Sequence, residues 1–242
     1  MIFMEIGTVV TLLVIFFQII RVVSGKSEHS FIYEIGLEWH KNSFVDIIFG
    51  IIIGFIVMLG IFIVESKLSF VSINDISIRR LSAEVLINIL VMAMIEEVVF
   101  RGLVLKGLIS ITKNKSIAVF ISAILFGLAH ADNPHANAIT VISNSLGGAM
   151  YAIAYLESKS LYFSIAIHFS WNYFQGPIFG FPVSGFNFPG VISQSVISSN
   201  ITLMGGMYGP EGGIIGIGFR LVVIMLIFAY GYFIDRNKKG AK

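Results

Sequence analysis

Residues 84–106 read EVLINILVMAMIEEVVFRGLVLK. Between Glu84 and Lys106 the polar side chains are Asn88, Glu96, Glu97 and Arg101, and everything else is apolar or glycine. The run has the length of a membrane span, since ~20 residues at 1.5 Å each cross a hydrocarbon core of about 30 Å. A charge held near mid-bilayer costs about 2.5–3.5 kcal/mol on insertion scales. Three such charges in one span are therefore a functional hypothesis by default.

Six further apolar stretches can be drawn, near 2–23, 44–64, 115–132, 136–156, 160–175 and 213–234. Of the 242 residues, 56% are hydrophobic and 12% charged, whereas a soluble domain carries about 25% charged residues. Too little polar material remains to cover a soluble surface. The sequence thus predicts an all-α, polytopic transmembrane bundle of about seven spans, with residues 1–242 forming a single integral membrane domain. The N-terminus is apolar from Met1, with no basic leader and no A-x-A site before the polar stretch near Ser24, so it reads as a retained span rather than a cleaved signal. The segment 175–212 contains QGPIFGFPVSGFNFPG and, at its end, most of GGMYGPEGG. Backbone so rich in Gly and Pro cannot be a lipid-exposed helix; it belongs in water, at the interface or against protein.

A formal net charge of +2 is too small to suggest a nucleic-acid partner, and the absence of cysteine excludes disulfides, thiolate zinc sites and a cysteine nucleophile. Lysine and arginine are distributed unevenly between the short loops. Arg21, Lys26, Lys41, Lys106, Lys113, Lys115, Lys159, Arg236, Lys238, Lys239 and Lys242 fall on one side, against Lys67, Arg79 and Arg80 on the other. The positive-inside bias places the C-terminus in the cytoplasm and the N-terminus outside, with a bacterial plasma membrane as the expected location.

Glu97 and Arg101 are four residues apart and can pair on one helix face. Glu96 is turned by about 100° and cannot share that face. Two neighbouring carboxylates in low dielectric do not both ionise freely, and a poised carboxyl suits general-base work. The fourth stretch ends FGLAHADNPH with His130, and the sixth contains IHFSWNYFQ, where His168 and Asn172 are again four apart. Counted from the inner ends, Glu96, His130 and His168 lie at depths of about 15, 22 and 12 Å, so a tilted or shortened fourth span is needed to bring His130 to the others. Glu97 with Arg101 is equally explained as a brace, and a lone buried His or Asn is more often a helix–helix partner than a catalyst. It is their co-occurrence on three spans that weakens those readings. Arg220, about seven residues into the last span, needs a carboxylate such as Glu211 or Glu157; His29, His40 and His135 read as loop or end residues.

In order and spacing, Glu96-Glu97-x-x-x-Arg101, Phe126-x-x-x-His130 and His168-x-x-x-Asn172 resemble the three motifs of the CPBP family. That family includes the CAAX-processing type II (Ras-converting-enzyme-like) endopeptidases and bacterial bacteriocin-immunity-type relatives; the text HFSWNYFQGPIFGFPVSG looks like the bacterial branch. The similarity spans roughly 85–215, the expected catalytic core. It implies an intramembrane protease in which Glu96 and His130 hold and activate water. His168 and Asn172 would donate to the oxyanion, and Glu97 with Arg101 would support the first helix. Glu96, His130 and His168 could also ligate zinc, but no H-E-x-x-H pair is present, so a metal-independent, glutamate-based mechanism with no cofactor is the favoured expectation. The substrate would be a membrane-associated or lipid-anchored peptide or protein, met within the bilayer. A proton-coupled transporter or a non-catalytic immunity or partner protein would use similar residues.

Overall fold

The computed structural model describes residues 31–240, so the expected first span at 2–23 lies outside the described residues. The order is a short helix α1 (Phe31–Ile35), α2 (Ser43–Lys67), β1 (Val71–Ile76), α3 (Ala83–Glu97), a π-helical stretch Val98–Leu105, and α4 (Lys106–Thr112). There follow α5 (Lys115–Ala129), α6 (Ala138–Ser158), α7 (Leu161–Tyr173), a second π-helical stretch Phe174–Ile178, β2 (Ile192–Val196), α8 (Ile201–Met204) and α9 (Ile214–Gly240).

Among the described residues three helices are long and apolar enough to cross a membrane: Ser43–Lys67, Ala138–Ser158 and, within α9, Ile214–Ile234. The other three expected spans are shorter as α-helices: α5 and α3 have 15 residues each and α7 has 13. α3 and α7 each continue without a break into a π stretch, which widens the helix and shifts the phase of every later side chain. A span count of seven is therefore not established, although the bundle is helical throughout its core.

The expectation of an all-α chain needs one correction. Val71–Ile76 pairs antiparallel with Ile192–Val196, Val71 opposite Val196 and Ile76 opposite Ile192, with an irregularity between Ile73 and Asp75. VSINDI and ISQSV are short and mix polar with β-branched residues, which suits a half-exposed ribbon. Each run is too short to announce itself beside long apolar helices. The ribbon ties the end of α2 to the Gly/Pro/Phe-rich segment. That segment folds back against the bundle, burying Phe179, Phe181, Val183, Met204 and Tyr208.

The spine of the fold is α2 lying along α7. Gly50 and Gly54 form a G-x-x-x-G step on α2, the spacing that lets membrane helices approach closely. A Cβ on Gly54 would come within 2.0 Å of Ser170 Oγ and 2.6 Å of Ser170 Cβ. Gly54→Ala is thus expected to cost about 1–3 kcal/mol by overpacking. Thermal unfolding in detergent should show the loss, and a compensating Ser170→Gly should recover much of it. This close contact sets the position of α7, which carries His168 and Asn172 on its sequence.

Candidate active site

Glu96 and Glu97 end α3, and the π-helical stretch begins at the next residue. Arg101 lies within that stretch and still closes on Glu97, Nη1 to Oε1 3.0 Å, with both side chains fully buried. Its Nη2 donates to the Gly148 carbonyl at 3.1 Å. The guanidinium also sits over the rings of Phe126 (4.5 Å) and Tyr151 (5.2 Å), where the π faces favour a cation.

Glu97 does more than brace its own helix. Its Oε1 is 2.8 Å from His168 Nδ1, across the bundle on α7. His168 Nε2, on the far side of the same ring, lies 3.9 Å from Glu96 Oε2. The two carboxylates that helical geometry turns apart therefore meet again at opposite nitrogens of one imidazole. Tyr151 of α6 stacks on that ring, centroids 4.5 Å apart and planes 16° from parallel.

His130 is the residue at which α5 stops, its backbone already outside helical geometry. Its Nδ1 is 2.8 Å from the Phe126 carbonyl; because a carbonyl only accepts, Nδ1 carries the hydrogen and a neutral ring presents a lone pair at Nε2. That Nε2 is 3.8 Å from Glu96 Oε2. Glu96, partly open with 26% of its side chain exposed, is thus faced by two Nε2 atoms.

Glu96, His130, His168 and Asn172 line one cavity of about 470 Å³, together with Tyr151, Asn144 and Arg220. Two other cavities, of about 530 and 550 Å³, contain none of the six expected site residues. Among the described residues no group of three or more His, Asp or Glu side chains is arranged to hold a metal ion. The set Glu96, His130 and His168 converges, but with its nearest polar atoms 3.8–3.9 Å apart and His168 Nδ1 engaged by Glu97.

A second buried ion pair forms the opposite wall. Arg220 Nη2 is 3.3 Å from Glu211 Oε2, each residue at most 3% exposed. Of the two carboxylates available to Arg220, Glu211 is the partner. Arg220 also donates to Asn144 Oδ1 at 3.2 Å and to Ser143 Oγ, and Asn144 donates to the Tyr208 hydroxyl. Burial and the nearby Glu211 carboxylate push the Tyr208 hydroxyl up to about 12, so it stays protonated and able to donate. Arg220 and Glu211 were legible as a buried charge and its candidate partner. Tyr151 and Asn144 were not, because an aromatic or an amide inside a span reads as packing. His40 bonds to Ser43 beside Asp46, and His135 lies in a loop with φ 63°, in keeping with their reading as ordinary loop and end residues; His29 lies outside the described residues.

Residues 79–174 match the family model for Rce1-like proteins, described as type II CAAX prenyl endopeptidase Rce1-like. The match contains Glu96, Glu97, Arg101, His130, His168 and Asn172, and ends before the Gly/Pro/Phe-rich segment, which the resemblance over roughly 85–215 includes. No curated protein and no solved structure matches the chain. An apolar helical bundle and this match agree: the chain is an integral membrane protein that carries, over residues 79–174, a segment matching the Rce1-like type II CAAX prenyl endopeptidases, a family of proteases.

Proposed function

We propose that the chain hydrolyses a peptide bond of a membrane-associated peptide or protein, using water activated by Glu96 and no metal. The observation that carries this reading is the approach of His130 Nε2 and His168 Nε2 to one oxygen of Glu96 at 3.8 and 3.9 Å, on the wall of a cavity. Such gaps are too long for direct hydrogen bonds, and one water can bridge them.

The steps follow from the proton inventory. Glu96 takes a proton from the water, whose oxygen adds to the carbonyl carbon; His130 Nε2 accepts the water's other hydrogen and holds it in line. The carbonyl oxygen becomes an oxyanion, and Asn172 donates to it from its amide. His168 already gives its Nδ1 hydrogen to Glu97, so it can donate from Nε2 only as the imidazolium. The Glu97 carboxylate holds the ring at Nδ1, so Glu97 and Arg101 orient His168 in addition to supporting the helix. Glu96 then passes its proton to the amide nitrogen, the C–N bond breaks, and a carboxylic acid and an amine leave. An oxyanion donor contributes about 10²–10³ in rate, and Asn172→Ala is expected to lower kcat by that factor with KM little changed.

The family description supports a lipid-anchored C-terminal peptide as one substrate class; the anchor would serve to bring the chain to the cavity. The basic side chains Lys106, Lys115 and Lys159 line a single cavity remote from the catalytic residues, which supports placing those loops together on the cytoplasmic side of a bacterial plasma membrane. The test is product analysis by mass spectrometry after incubating purified protein in lipid nanodiscs with membrane peptides, with and without chelator. Cleavage that persists in chelator is expected. Cleavage lost to chelator and restored by zinc would overturn the metal-free mechanism, and binding without cleavage would favour a partner protein.

A further inference from the structure

The Gly/Pro/Phe-rich segment, outside the family match, supplies part of the cavity wall. Val183 and Phe186 exchange both backbone hydrogen bonds, at 2.8 and 2.9 Å, around Ser184 and Gly185. The φ values of 49° and 88° at these two residues make it a two-residue turn of the kind that closes tight hairpins. Glycine is required at 185: a Cβ there would lie 2.1 Å from the carbonyl oxygen of Pro134, in the loop that follows His130. The hairpin tip is thus seated against the loop leading away from one catalytic histidine. Its neighbours Phe186 and Phe188 line the same cavity as Glu96 and His130, and Phe186 remains 51% exposed.

One buried side chain fixes this hairpin. Glu211 Oε1 accepts from the Ser184 N–H at 2.5 Å, from Ser184 Oγ at 3.0 Å and from Gln175 Nε2 at 3.2 Å. Gln175, in the π-helical stretch that continues α7, also donates to the Pro182 carbonyl at 2.6 Å. The second oxygen of Glu211 takes Arg220. A single carboxylate therefore couples the hairpin, the end of the helix carrying His168 and Asn172, and the last span. Three donors on one oxygen in a buried site hold the turn far more firmly than its own two backbone bonds.

We infer that the hairpin Phe181–Phe188 is the wall that sets substrate selectivity, with Phe186 limiting the size of the apolar side chain admitted beside the cleaved bond, and that Glu211 is the positioning residue that fixes this wall. The inference rests on the hydrolytic reading of the same cavity. Shape rather than charge would be read there, since Phe186, Phe188 and Val183 present only apolar surface to the cavity.

The experiment separates the two claims by measuring binding and cleavage independently. Full-length protein in lipid nanodiscs is offered a library of membrane-inserting peptides randomised at four adjacent positions. Bound sequences are recovered with the Glu96→Gln variant, and cleaved sequences with the chain carrying Glu96. In either background Phe186→Ala is expected to shift one position toward larger residues, changing the Trp-to-Leu ratio about tenfold, within the range that pocket contacts of this size give. Glu211→Gln is expected to broaden the same position, whereas mere destabilisation would weaken all peptides alike. An unchanged residue profile in Phe186→Ala, or no binding of any peptide, overturns the selectivity wall. A uniform loss in Glu211→Gln overturns the positioning role. A shifted binding profile without cleavage leaves the wall standing and overturns the hydrolytic reading instead.

Discussion

Arg101→Met is expected to destabilise the protein by about 3–5 kcal/mol, because it takes the guanidinium away from the buried Glu97 carboxylate and leaves the His168 ring to face it. Both partners have 0% side-chain exposure, so water cannot take the place of the lost guanidinium. The change also removes a hydrogen bond to Gly148 and two contacts with aromatic faces. For a chain of this size about 2–4 °C of melting temperature accompanies each kcal/mol, so the midpoint in detergent should fall by roughly 10 °C. Adding Glu97→Gln should return most of that loss, since a neutral amide is far less costly to bury than a carboxylate that has lost its guanidinium. Activity should not return with it. The double variant leaves His168 Nδ1 without the carboxylate that orients the ring. Recovery of stability without recovery of turnover separates the structural role of the pair from its influence on His168. A melting point unchanged in Arg101→Met would contradict the buried pair itself.

The membrane character was plain from hydropathy; Glu96, Glu97, Arg101, His130 and His168 stood out because ionisable groups are costly in a bilayer, and Asn172 by its spacing from His168. Their mutual geometry was only partly legible. The i,i+4 spacing of Glu97 and Arg101 announces their contact, and it forms. Yet the helical wheel that turns Glu96 away from Glu97 says nothing of a ring that reaches both from another helix. The π stretches after Glu97 and after Tyr173 were invisible as well: VVFRGLVL reads as a plain continuation of α3, and the Gly and Pro of FQGPI mark the end of a helix without announcing a π register. His130 was legible only as an outlier in depth: α5 is helical from Lys115 to Ala129, so the rise to His130 is as counted, and its approach to Glu96 comes from packing that no local spacing announces. The β ribbon was missed because pairing between residues more than a hundred positions apart leaves no local signal in strands of six and five residues. Glu211 and Arg220 lay in plain view as charges, but the hairpin they organise depends on a turn conformation at Ser184 that serine seldom adopts.

Glu96→Gln is expected to lower kcat by about 10³-fold or more, since general-base catalysis alone is worth roughly 10²–10⁴ and the water also loses its negative partner. The amide keeps the size of the side chain and a carbonyl oxygen facing the two histidines, but it cannot take the proton. Stability should be nearly unaffected: Glu96 is 26% exposed, and its ion-pair neighbours are the two histidines at 3.8 and 3.9 Å. Binding should likewise survive, so KM is expected to change little. The most direct test of the whole account is therefore a side-by-side comparison of the unmodified protein and Glu96→Gln, purified in chelator-treated nanodiscs with a cleavable membrane peptide, with the new termini counted by mass spectrometry. The account predicts product from the chain carrying Glu96 and almost none from the variant at equal melting temperature. Product formed by Glu96→Gln at an undiminished rate would contradict it.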